Sequence, residues 1–130
     1  MQCRIVIYNV KPISKQSGTK YGRRHAYLTQ EYKNFKEIIA WEAKNQLSKE
    51  GWKICTDKEI YISCGLVWPK KTKREDKLGD IADNVISGIY DALQGVVYKN
   101  DKQIYSSIVS LYHSQNIKKI EILITTGCKL

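Results

Sequence analysis

Residues 3–10, CRIVIYNV, are dense in β-branched and aromatic side chains, and the pattern predicts a strand. The stretch that follows, KPISKQSGTKYGRRH, is broken by Pro, Gly and Ser and reads as a basic loop. From Gln30 to Lys49 the period changes. Tyr32, Phe35, Ile39, Ala43 and Leu47 recur at helical spacing, Thr29 offers an N-cap and Gly51 a stop. Residues 59–68 alternate, with Ile60, Ile62, Cys64 and Leu66 on one face of a second strand, which Pro69 ends. A second helix is predicted from Asp80 to Leu93, closed by Gly95. Residues 103–113 and 117–126 read as two further strands, and Gln115-Asn116 between them suggests a hairpin. The expectation is one domain over residues 1–130, of the α/β class (α+β type): a mixed sheet with two main helices in the order β-α-β-α-β-β.

Charge narrows the function. The chain carries a formal net charge of +9, and the positive residues gather in the loops. Lys15, Lys20, Arg23 and Arg24 lie in the first basic segment, and Lys70, Lys71, Lys73 and Arg74 form a second. Such patches attract polyanions, of which nucleic acid is the commonest partner in a cytosol. No run of 18 or more apolar residues predicts a membrane span, and Ile5–Tyr8 is too short for a signal-peptide core, so a cytoplasmic protein is expected. Cys3, Cys55, Cys64 and Cys128 are scattered away from each other and from both histidines, which argues against zinc, and no disulfide is expected. Cys3 and Cys64 read as small buried residues.

Against this background the segment GDIADN, Gly79–Asn84, is poorly neutralised. With about 100° per residue, Asp80, Asp83, Asn84, Ser87 and Asp91 share one arc of the second helix, opposite Ile81, Val85, Ile86, Ile89, Ala92 and Leu93. A solvated helix face usually mixes long acids and bases; this one holds short acids, an amide and a hydroxyl. Short rigid oxygen donors suit a hard divalent cation. Capping explains Asp80 or Asp83 equally well, but not Asp91 near the C-terminus, where the helix dipole disfavours negative charge. Asp101 precedes a strand, at whose mouth it could join the acidic stripe. Carboxylates meeting there would repel unless a cation joined them, and Mg²⁺ held by carboxylates is suited to phosphodiester hydrolysis.

GDIADNVISGIYDALQGVVYKNDKQI, residues 79–104, resembles the RusA family of Holliday junction resolvases. The family pattern is Asp-x-Asp-Asn-x-x-Lys, then Asp-Ala-Leu and a Gly, then Asp-Asp-x-Gln entering a strand. KPISKQS and YKNFKEIIAWEAKNQ resemble its N-terminal segment and first helix. The resemblance implies a homodimeric endonuclease that uses Mg²⁺, with Mn²⁺ as a substitute, to nick opposing strands of a four-way DNA junction in recombination and repair. Carried over by position, Asp83 and Asp101 match family aspartates and Asp80 is the nearest candidate for the first one. These three are the expected catalytic and metal-holding residues, with Asn84, Ser87, Asp91 and Asn100 as further candidates. Ser87 stands where the family has lysine, and Asn100 where it has the first aspartate of the later pair. The alternative is a branched-DNA-binding protein of the same fold that cuts weakly or not at all. A third reading is a basic interaction protein whose aspartates only cap.

Overall fold

The computed structural model describes residues 2–13, 19–21, 26–69 and 86–127. Strand β1 covers Gln2–Tyr8, and helix α1 runs Gln30–Lys49, the bounds read from the sequence. The Tyr32 backbone N–H donates to Thr29 Oγ1 at 3.3 Å, so the cap acts as expected. Tyr32, Phe35, Ile39, Ala43 and Leu47 are all buried. The helix ends at Glu50, and Gly51 then takes φ +74°, a left-handed conformation that a side chain would strain.

Strand β4, Ile60–Pro69, and strand β6, Lys119–Thr126, are the interior strands of a four-stranded mixed sheet ordered β1-β6-β4-β5, where β5 is Ile104–Ser114. β6 runs antiparallel to both β1 and β4, whereas β4 and β5 are parallel. Cys3, Ile5 and Ile7, then Ile120, Ile122 and Ile124, then Ile60, Ile62, Cys64 and Leu66 form one continuous buried face. Helix α1 and helix α2, Ile86–Leu93, share that core. The free edge of β1 is closed by a side chain: Gln46 of α1 accepts from the Val6 N–H at 2.9 Å and donates to its carbonyl at 2.7 Å. A glutamine thus does what a fifth strand would do for that residue.

The expected hairpin of the last two strands does not form. β4 lies between them, and β5 pairs with β4 in parallel. The reason is burial. β6 alternates isoleucines on one face and suits the interior, whereas β5 carries Ser106, Ser107 and Ser110 and leaves Tyr105, Ile108 and Tyr112 exposed at the edge. The four residues 115–118 are long enough to step over one strand, a distance of about 10 Å. Ser114 Oγ donates to the Ile117 carbonyl at 2.6 Å across that step.

The segment read as a basic loop also holds structure. Strand β2, Thr19–Tyr21, pairs antiparallel with strand β3, Ala26–Leu28, which leads into α1. Threonine and tyrosine favour extended backbone locally, and the Pro, Gly and Ser around them mask the signal. Cys3 and Cys64 are buried free thiols, as read, and burial pushes Cys64 up to about 12. Cys55 departs from the expectation, for it is disulfide-bonded.

Candidate functional site

The described part of α2 has the amphipathic form that the sequence predicts. Ile86, Ile89, Ala92 and Leu93 are buried, and Ser87 and Asp91 lie on the partly exposed side. Gly88 sets the distance between the helices. A Cβ there would come within 3.2 Å of the Phe35 and Tyr32 rings, tighter than ordinary contact. The close approach brings Asp91 to α1, where the Tyr32 hydroxyl donates to Asp91 Oδ2 at 3.4 Å. A hollow of about 310 Å³ opens beside it, lined by Lys33, Lys36, Glu37, Ala40, Asp91 and Ala92. Lys36 Nζ stands 5.3 Å from the centre of the Tyr32 ring, a cation–π distance.

Beyond α2 the chain turns at Gly95, φ +87°, whose N–H donates to the Tyr98 carbonyl at 2.8 Å. Tyr98 is fully buried, and its hydroxyl donates to the Tyr90 carbonyl at 2.7 Å. Its phenol is pushed well above the ordinary tyrosine value, first by burial and then by the negative charges of Asp101, Tyr90 when ionised, and Asp91. Two carboxylates from different segments, one on α2 and one before β5, therefore act on the same buried phenol.

Asp101 opens a single 3-10 turn, Asp101–Gln103, that runs straight into β5. It sits at a strand mouth, where the sequence reading put it, and it is exposed. Its carboxylate makes no hydrogen bond or ion pair among the described residues. Asn100, a candidate donor by sequence, caps the turn: its Oδ1 accepts from the Lys102 N–H at 2.9 Å.

Asp80, Asp83, Asn84, Lys15, Arg23, Arg24, Lys70, Lys71, Lys73 and Arg74 lie outside the described residues, and Lys20 is placed only as part of the β2 backbone. Among the described residues no cluster of three or more metal-ligating side chains occurs. The described carboxylates of Asp91 and Asp101 are hard oxygen donors, which fits Mg²⁺ and does not fit a soft-ligand metal. Sequence reasoning missed Lys33 and Lys36 beside Asp91 and buried Tyr98, and it named Gln103 only as the glutamine of the family pattern, without its place under the turn. Only the last had a local signal: an asparagine followed three residues later by glutamine is a capping-box pattern.

A mixed sheet with both helices on one face, a basic chain, and an exposed carboxylate at a strand mouth fit a class of protein that binds a polyanion. Residues 8–125 match the family described as Endodeoxyribonuclease RusA, and the chain belongs to that family. The match covers nearly the whole chain and agrees with the resemblance carried by residues 79–104. No curated protein matches the chain.

Proposed function

We propose that this chain is a Mg²⁺-dependent, structure-specific endonuclease that resolves four-way DNA junctions by nicking opposing strands, as one RusA-like domain over residues 1–130. The observation that carries the reading is the joint action of Asp101 and Asp91 on buried Tyr98, in a family of endodeoxyribonucleases. Both carboxylates lie near enough to raise that phenol, which supports a metal site drawn from the segment before β5 and the polar side of α2.

In this reading Asp80, Asp83 and Asp101 hold the cation, with Asp91 close by. When bound, the ion would lower the pKa of a water and set positive charge against the reacting phosphate. Tyr98 and Gly88 fix the two segments that present the carboxylates. Lys15, Lys20, Arg23, Arg24, Lys70, Lys71, Lys73 and Arg74 contact phosphates, and Lys33 and Lys36 add cations beside Asp91. The molecule acts as a homodimer, since two related scissile strands call for a two-fold enzyme. β5 supports that arrangement as an edge strand, among the described residues, without a formally charged residue. A cytoplasmic setting fits, and among the described residues no helix is long and apolar enough to cross a membrane.

A second reading is favoured by Ser87. Without the family's lysine on the polar side of α2, the chain could hold branched DNA and cut it weakly. The two separate in one assay: nicking of a synthetic four-way junction and of linear duplex, with Mg²⁺ and with chelator. Symmetric Mg²⁺-dependent nicks in the junction support the enzyme. Tight junction binding with no nicks at any Mg²⁺ concentration overturns it in favour of the binding protein.

A further inference from the structure

The 3-10 turn that carries Asp101 is wound over one side chain. Gln103 Oε1 accepts from the Asn100 N–H at 2.9 Å and the Lys99 N–H at 3.1 Å. Its Nε2 donates to the Lys58 carbonyl at 3.0 Å and the Cys55 carbonyl at 3.1 Å. Both lone pairs and both N–H groups of the carboxamide are therefore used. The backbone completes the knot: the Gln103 N–H donates to the Asn100 carbonyl at 3.0 Å, and the Lys99 N–H also donates to the Cys55 carbonyl at 3.0 Å.

A capping box needs only the acceptor half of this side chain. The donor half reaches another part of the chain, some 45 residues away, and ties the turn to the segment before β4. Glutamate could not do this, because its carboxylate would face two carbonyl oxygens. Lysine and arginine lack the acceptor, and asparagine is one methylene short. Asp101, two residues earlier, has no hydrogen bond or ion pair of its own among the described residues, so its place is set by the backbone that Gln103 holds.

We propose that Gln103 is a positioning residue for the metal site: by joining residues 99–102 to Cys55 and Lys58 it orders the Asp101 carboxylate before the cation arrives. The proposal rests on Asp101 being a metal ligand. Partners that orient a ligand are typically worth about 10- to 100-fold in metal affinity. A turn that is loose in the free protein would have to be ordered by the metal, and affinity would fall by that cost.

The test is a Mn²⁺ titration of the full-length protein without DNA, read by the EPR signal of free Mn²⁺, for the wild type, Gln103→Met and Asp101→Asn. Gln103→Met keeps length and loses every side-chain hydrogen bond. It should retain native circular dichroism, bind Mn²⁺ about 10- to 100-fold more weakly, and regain most of its junction nicking when Mg²⁺ is raised. Asp101→Asn should not be rescued by metal. If Gln103→Met folds and its Mn²⁺ affinity is unchanged while Asp101→Asn loses affinity, the positioning claim alone is wrong. If Asp101→Asn binds Mn²⁺ as the wild type does, the reading of Asp101 fails and this claim with it. Should Gln103→Met not fold, amide exchange in the wild type decides. The Asn100 amide, bonded to Gln103 Oε1, should be protected, and Mg²⁺ should slow its exchange further, since ordering and binding are reciprocal. An Asn100 amide that exchanges freely, or that ignores Mg²⁺, overturns the proposal.

Discussion

The Tyr32 hydroxyl on α1 donates to Asp91 Oδ2 on α2, across the gap that Gly88 keeps narrow. The bond is long at 3.4 Å, so its net worth is at the low end for a hydrogen bond to a charged group. Tyr32→Phe should cost about 1 kcal/mol of stability, measured by urea unfolding, and leave the ring contact with Lys36 intact. A loss above about 3 kcal/mol would mean that the hydroxyl does more than meet Asp91.

The same tyrosines set an alkaline limit. Burial and then Asp91 push Tyr32 up to about 12, and burial and then Cys64 push Tyr90 up to about 12, from an ordinary 10.0. The folded values lie above the unfolded ones. Their contribution to stability is therefore complete below about pH 10 and is lost as pH rises toward 12. Tyrosinate absorbance near 295 nm should show a group of tyrosines that ionise only as circular dichroism reports unfolding. Ionisation of all nine near pH 10 in a still-folded chain would contradict the burial of these phenols.

At the strand mouth, Asp101→Asn removes one charge with little change of shape. Junction nicking should fall on the order of 100-fold or more, while junction binding holds or tightens because phosphates are repelled less. Thermal stability without metal should hold or rise. Asp83→Asn should do the same if Asp83 is a ligand, whereas a pure N-cap would accept Asn with no effect. Full-rate nicking by both variants would end the metal-site reading.

Ser87→Lys restores the lysine of the family pattern on the partly exposed side of α2. If the natural serine leaves the enzyme weak, single-turnover nicking should rise about 10-fold or more. If Lys33 or Lys36 already supplies the cation beside Asp91, the rate should stay level, and Lys36→Ala should lower it instead.

Basic segments that track phosphates make binding steeply salt-dependent. Replacing Arg23 and Arg24 together with alanine should flatten the slope of log K against log salt by about 2, measured by fluorescence anisotropy on a labelled junction. An unchanged slope would take both residues out of the interface.

Much of this architecture could be read from local rules, because the features concerned are local. Thr29, the periodic face from Tyr32 to Leu47, and Gly51 carry the whole of α1 within one stretch of chain. The alternation from Ile60 to Leu66 likewise gives β4 its buried face. The place of β5 was not legible, since alternation describes a strand and not its neighbours; β4 and β6 won the interior by burying more apolar surface. Asp101 was legible as a strand-mouth carboxylate. Its influence on Tyr98, and the bonds from Gln103 to Cys55 and Lys58 that hold its turn, were not, because they join residues that only the folded chain brings together.

The position of β6 has a consequence for synthesis. β1 has one neighbour in the sheet, β6, and their ladder pairs Gln2 with Thr125. A ribosome adding about 5–20 residues per second takes roughly 6 to 24 seconds to pass from one to the other. During that time the first strand has no ladder partner and the core face of α1 has only part of its sheet. A nascent chain arrested before Lys119 should accordingly be digested by protease as readily as an unfolded one, and resistance should appear once Thr126 has cleared the exit tunnel. A chain wired in this way has no folded half-made form.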